Sequence, residues 1–255
     1  MNFAIALPGA LFVGFSLGIF GSGGSILTVP ILVYLLGQDE KVAIASSLAI
    51  VGLVAAAGSV PYIKQKLVHW RTVLLFGAPG IAGTYLGAWS STWVSGTVQL
   101  VTFAIVMFLA AFLMLKPFKP GNARPSAPRA FYKIAVDGLA VGMLTGFVGV
   151  GGGFLIVPAL VLLGGLTMQQ AIATSLVIIT MKSAAGYLKY LDILGAQGLE
   201  PDLLIISWFA VAGIIGSFAG NSVALILPQE HLKKGFAVFL IIMAFYILAK
   251  SAPLA

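Results

Sequence analysis

The sequence predicts an all-α integral membrane protein built from two pseudo-symmetric repeats of four hydrophobic segments, the first segment of each repeat broken at a glycine-rich motif. Three observations carry this expectation. Mean hydropathy is +1.09, with 60% hydrophobic and 8% charged residues, a balance that cannot clothe a water-soluble surface. The apolar stretches run to roughly twenty residues, the length that a hydrocarbon core about 30 Å thick demands. Finally, the second half of the chain repeats the first. Runs such as Val98 to Leu115 and Phe236 to Ala249 lack the apolar and polar alternation of a membrane-barrel strand, so the spans are expected to be helices.

The repeat appears at an offset of 128 residues, ungapped from Gly14 over Gly142 to Tyr62 over Tyr190, with 22 of 49 pairs identical. Gly21-Ser-Gly-Gly-Ser25 lies over Gly149-Val-Gly-Gly-Gly153, and both are followed by Val-Pro, at Val29-Pro30 and Val157-Pro158. Ala43-Ile-Ala-Ser-Ser-Leu48 lies over Ala171-Ile-Ala-Thr-Ser-Leu176. After a five-residue insertion near Gly195 to Glu200, Gly80, Gly83 and Gly87 meet Gly213, Gly216 and Gly220 at an offset of 133. Apolar composition alone does not align glycines and prolines.

In chain order the expected segments are 3–36, 42–63, 72–90 and 97–115, then 131–164, 169–190, 202–223 and 232–250. The first repeat is 1–115, a basic proline-rich linker is 116–130, and the second repeat is 131–255. Lys116 to Arg129 holds four basic residues with Pro117, Pro120, Pro125 and Pro128, so it neither spans nor folds as a helix. With Lys64, Lys66 and Arg71 in an earlier loop, the positive-inside rule places both stretches in the cytoplasm. The first segment of each repeat would be about 50 Å long as one helix, too long for a straight crossing. Its glycine cluster is where a helix is weakest. If the two pieces continue in one direction the repeats are parallel; if they reverse, the repeats have opposite orientation. Charge counting allows both.

The net charge of +7 is spent on membrane-flanking loops and forms no basic stripe interleaved with aromatics, so no nucleic acid partner is expected. Absence of cysteine excludes disulfides and thiolate chemistry. His69 and His231 stand far apart in loops, no paired carboxylates or nucleophile-base pair is evident, and the glycine runs lack the strand context of a dinucleotide loop. An enzyme is not expected, nor a cofactor or metal.

Chemistry is expected instead at the glycine clusters. A short helix starting near Ser25 or Gly153 exposes about four backbone N–H groups without intrahelical partners, at an end carrying roughly half a positive charge. Inside a membrane an anion satisfies both, and broken helices of transporters present such ends to their substrates. The candidate anion-binding residues are Gly21, Ser22, Gly23, Gly24 and Ser25 with Ser46 and Ser47 in the first repeat. Their counterparts are Gly149, Gly151, Gly152 and Gly153 with Thr174 and Ser175. Close helix packing is the competing role for the glycines, and bonding back to helix carbonyls is the competing role for the hydroxyls. Lys182 stands where the first repeat has Val54, placing one charge within an apolar segment, either as a functional group or snorkelling to an interface. Asp137 is a coupling candidate or a helix cap. Ser217 and Asn221 are weaker candidates.

Gly18-Ile-Phe-Gly-Ser-Gly-Gly-Ser-Ile-Leu-Thr-Val-Pro30 and Gly146-Phe-Val-Gly-Val-Gly-Gly-Gly-Phe-Leu-Ile-Val-Pro158, together with the two Ala-x-Ala-Ser/Thr-Ser-Leu stretches, resemble the TauE/SafE sulfite exporter family over nearly the whole chain. The resemblance implies movement of sulfite, sulfonates or related organic anions across the bacterial cytoplasmic membrane by a multi-pass protein. Ser25 stands where the second copy has Gly153, which makes the first glycine run shorter. A secondary transporter of a small anion is the leading expectation, with an anion channel as alternative; a homodimer in the lipid bilayer is compatible with either.

Because the chain has no cysteine of its own, single cysteines at Gln65 and Ser126 report sidedness directly. Both should resist an impermeant maleimide applied to intact cells and react once the membrane is opened. Labelling of either from outside would refute the charge-based topology.

Overall fold

A computed structural model describes residues 3–22, 24–91, 93, 96–115, 131–148, 153–196 and 198–251. Among these the chain forms ten α-helices: α1 (Phe3–Phe20), α2 (Gly24–Pro30, continued by a π-helical stretch Ile31–Leu35), α3 (Glu40–Lys64), α4 (Trp70–Ser91), α5 (Gly96–Leu115), α6 (Phe131–Val148), α7 (Gly153–Leu162), α8 (Met168–Ala196), α9 (Leu203–Ile226) and α10 (Gln229–Ser251). Four of them, α3, α8, α9 and α10, contain stretches long and apolar enough to cross a membrane. The protein is an all-α membrane protein. Each expected segment contains helix among the described residues, and the first is interrupted between α1 and α2; residues 149–152, between α6 and α7, lie outside the described ones. The linker at 116–130 lies outside the described residues.

The helices start where polar side chains can cap them. Asp39 accepts from Lys41 N at 2.9 Å ahead of α3, and Asp202 accepts from Leu204 N and Ile205 N ahead of α9. Thr167 and Gln170 form a reciprocal capping box at the start of α8, with Thr167 N donating to Gln170 Oε1 and Gln170 N donating to Thr167 Oγ1. These residues satisfy backbone donors that the first helical turn leaves open.

The chain reverses at the first break. A methyl group on Gly24 would press on Leu17 and lie 2.7 Å from Val13 O, and one on Gly9 would lie 3.4 Å from Ile31 Cδ1. As residue number rises along α2 its neighbours on α1 fall, so α2 runs back along α1 in the opposite direction. With 18 residues, α1 is about 27 Å long.

Two seams of small residues join distant parts of the chain. Gly14 and Gly18 on α1 meet the backbone of Gly213, Ser217 and Asn221 on α9, while Gly216 and Gly220 meet the backbone of Leu11, Phe15 and Ile19. Along α4, Gly83 and Gly87 meet the backbone of Leu139, Met143 and Phe147, and Gly138, Gly142 and Gly146 on α6 meet Phe76, Gly80 and Thr84. Residue numbers rise together in both seams, so each helix pair is parallel. Such backbone contact is how helices associate where lipid supplies no hydrophobic drive. Between the seams, α3 and α8 cross the other way. A methyl on Gly52 would lie 3.2 Å from Ser183 Cβ, and one on Gly186 would lie 3.3 Å from Leu48 Cδ1, which makes this pair antiparallel.

Burial follows this plan. The apolar window of α3 is 61% buried against 39% for α10, so α3 forms the centre and α10 faces lipid. Phe108 of α5 meets Phe245 of α10 edge to face at 5.1 Å. Large side chains such as Leu74, Ile105, Phe112 and Ile215 are exposed, as a lipid-facing surface requires. Trp70 and Trp208 are also exposed, and Arg71 sits 3.9 Å above the Phe131 ring. That contact puts the loop before α4 and the start of α6 at the same end of the molecule.

Replacing Gly83 or Gly142 by alanine forces a methyl group into facing backbone, and each substitution should cost about 1–3 kcal/mol. On Gly195, near the end of α8, a methyl meets nothing within 4 Å, so Gly195→Ala should be neutral or stabilise by roughly 0.5–1 kcal/mol. Thermal unfolding of the purified protein compares the three; equal effects would disprove the seam.

Candidate functional site

The first break is built from α1, α2 and α8. Gly21 N donates to Leu17 O at 2.7 Å and closes α1. Gly21 then takes φ +71, a left-handed conformation that glycine adopts without the cost borne by a residue with a Cβ. Its carbonyl is met by Ser175 Oγ at 2.9 Å, while the same hydroxyl lies 2.8 Å from Ile172 O on its own helix. A methyl on Gly21 would come within 2.7 Å of Ser175 Oγ and 2.8 Å of Ile172 Cα. Glycine is therefore required twice here, by the turn and by the approach of α8. Ser22 and Gly24 are buried beside this turn, and Gly24 packs on α1 as described above. Thr28 Oγ1 donates back to Gly24 O at 2.7 Å, which keeps the first turn of α2 closed.

The remaining sequence-predicted residues fall into separate places. Thr174 Oγ1 accepts from His69 N at 3.1 Å, pinning the loop between α3 and α4 next to the first break. Ser47 Oγ donates to Ile44 O of its own helix at 2.9 Å. Ser46 is fully buried and its hydroxyl has no partner among the described residues. Because α3 and α8 are antiparallel with Leu48 beside Gly186, the pair Ser46 and Ser47 lies about 20 Å along the helix axis from Thr174 and Ser175. The hydroxyls thus form two clusters, one on each side of the central crossing. Gly23, Gly149, Gly151 and Gly152 lie outside the described residues, as does the side chain of Ser25; Gly153 is buried at the start of α7.

Lys182 occupies the middle of α8. It is 8% exposed, and its Nζ donates to Thr145 Oγ1 of α6 at 3.4 Å. A methyl on Gly80 of α4 would stand 4.0 Å from that nitrogen. Thr145 in turn donates to Gly142 O at 2.9 Å. The amine is held at the junction of α4, α6 and α8, where Gly80 leaves space beside it. Asp137 is half-buried on α6, two turns ahead of Thr145. Sequence reasoning ranked Ser217 and Asn221 low, yet both are almost completely buried beside the end of α1. What raises them is convergence with Gly58 and Gly18, which no spacing within one segment reveals.

The family model described as "Sulfite exporter TauE/SafE" matches residues 6–247. A "Probable membrane transporter protein" of Xylella fastidiosa is 31% identical over 251 residues, covering 94% of this chain and 92% of its own length. "Probable membrane transporter protein YunE" of Bacillus subtilis is 31% identical over 219 residues, with 75% and 79% covered. A "Probable membrane transporter protein" of Haemophilus influenzae is 28% identical over 257 residues, with 93% and 94% covered. No solved structure gives a significant match.

The Ser175 hydroxyl should stabilise the break. Ser175→Ala leaves Gly21 O without that partner, and Thr174→Val does the same to His69 N–H; each should lower stability by about 1–3 kcal/mol. Thermal unfolding checks both, and an unchanged transition in Ser175→Ala would mean that the break holds without α8.

Proposed function

The chain belongs to the sulfite exporter TauE/SafE family, and from that premise we propose that it is a secondary transporter that exports sulfite, an organosulfonate or a related small anion across the cytoplasmic membrane. That it is a multi-pass membrane transporter rather than an enzyme follows from the family and the relatives. The anion and the direction are the proposal.

One observation carries the reading: the first segment stops and reverses inside the helical body at Gly21, against the buried hydroxyl of Ser175. Past the break, α2 starts with open backbone donors at the positive end of its dipole, a place suited to an anion. The anion would rest at the first break, with Thr174 and Ser175 as neutral polar neighbours. Its counterpart would rest at the second break beside Ser46 and Ser47, and Lys182 between the clusters would supply the positive charge an anion needs on the way. The two halves are then inverted repeats, a reading supported by the reversal of α2 and by the antiparallel α3 and α8. Inverted halves give alternating access a structural basis, since each half offers the same element to opposite sides of the membrane. The basic loops set the orientation, with His69 and Thr174 at the cytoplasmic end.

Thermal unfolding of the purified protein against sulfite, sulfate, thiosulfate, sulfonates and small carboxylates identifies the ligand by mass action. A sulfur oxyanion or sulfonate should raise the melting temperature, and Lys182→Met should weaken that ligand by about tenfold or more while Lys182→Arg retains much of the affinity. In proteoliposomes flux should saturate and show counterflow. Non-saturating flux without counterflow would replace the transporter with a channel, and stabilisation by none of the sulfur anions would remove the substrate class.

A further inference from the structure

One turn from the first break, where α1, α3 and α9 meet, a second polar cluster is buried in the helical body. Ser217 is 0% and Asn221 2% exposed. Asn221 Nδ2 donates to Gly58 O at 2.8 Å, and Tyr62 OH donates to Gly18 O at 3.3 Å. Among the described residues, Asn221 Oδ1 and Ser217 Oγ have no hydrogen-bond partner. The amide orientation is fixed by its own bond: turning it over would set Oδ1 against the Gly58 carbonyl, two acceptors face to face. The free end of Asn221 is therefore an acceptor.

Two glycines make the room. A methyl on Gly58 would strike Ser217 Oγ, and one on Gly18 would strike Ser217 O and come within 2.9 Å of Asn221 N. Asn221 Oδ1 and Ser217 Oγ bring free lone pairs to the cluster beside the carbonyl oxygens of Gly18 and Gly58, and the protons not used in these bonds are that of the serine hydroxyl and the second N–H of Asn221. The cluster adjoins the carboxyl end of α1, which bears roughly half a negative charge. The excess of acceptors together with this partial charge favours a cation over an anion.

We propose that Ser217 Oγ, Asn221 Oδ1 and the neighbouring carbonyls of Gly18 and Gly58 form a binding site for a small monovalent cation of the sodium type, adjacent to the anion position at the first break. Oxygen donors at the carboxyl end of an interrupted membrane helix are the kind of ligand such ions take in transporters. With no carboxylate among these donors, the site suits one positive charge rather than two. It is also one-sided: the offset of 133 residues puts Thr84 and Ala88 where Ser217 and Asn221 stand, so the other half lacks the amide. A transporter that drew on a sodium gradient would need one such site, next to its substrate. The proposal adds a coupling ion to the transport reading but rests on its own geometry.

Radiolabelled sodium binding to the purified full-length protein, at constant ionic strength with choline chloride as the replacement salt, tests it without any candidate substrate. Binding should saturate and be displaced by unlabelled sodium chloride. Asn221→Ala and Ser217→Ala should each weaken it about tenfold or more. Ser183→Ala, which removes a buried hydroxyl outside the cluster, should leave it unchanged. As a check on folding, sodium should raise the melting temperature of the unmodified protein above its value in choline and do so less in the two cluster variants. Absence of saturable binding by the unmodified protein would assign the cluster to buried water, and full affinity in both cluster variants would place the ion elsewhere; either result overturns the proposal. Since chloride is the sole anion, neither result bears on sulfite.

Discussion

A helix that stops within a hydrocarbon core leaves backbone groups that lipid cannot satisfy, and the protein must supply every partner. The structure depends on meeting that constraint at Gly21. The left-handed turn closes α1 through Gly21 N, and the carbonyl that the turn exposes is met by Ser175 of α8. Thr174, the next residue, holds His69 and so fixes the loop between α3 and α4. A single stretch of α8 thereby anchors both the break and the end of the central helix. The carbonyl at the break is thus satisfied by a helix of the second half of the chain.

The glycine seams explain how that meeting is stabilised. Backbone lies on backbone between α1 and α9 and between α4 and α6, so each half lends its first helix to the other. Dispersion over such close contact replaces the hydrophobic drive that lipid removes. Few side chains stand between the paired helices, and each pair is correspondingly stiff. Buried polar side chains stand on α3, α8 and α9 at Ser46, Thr174, Ser175, Lys182, Ser183, Ser217 and Asn221, and on α1, α4 and α6 at Ser16, Thr72 and Thr145.

Much of this was legible in the sequence, because a membrane converts length and hydropathy into helices directly. The segments and the interruption at the first glycine cluster follow from local pattern. Direction did not. No residue near Gly21 encodes whether the chain continues or returns, since that choice is made by the contacts of Gly24 with Leu17 and of Gly9 with Ile31. Spacing also pooled hydroxyls that an antiparallel crossing separates: Ser47 and Ser175 align in the repeat yet lie on opposite sides of Gly52 and Ser183. The importance of Asn221 was hidden for the same reason, as its meaning comes from Gly58 and Gly18 on other helices. Gly24, read from sequence as an anion contact, is packed against α1.

The central claim is that the chain turns back at the first break, so that α3 and α8 run in opposite directions. The chain lacks cysteine, so paired cysteines measure this without background. Disulfide formation requires Cα atoms within about 7 Å, and it should be efficient for Leu48 with Gly186 and poor for Leu48 with Leu176, its equivalent in the repeat. Efficient bonding of Leu48 with Leu176 and none with Gly186 would mean that the helices run parallel, and the account of the break would fall with it.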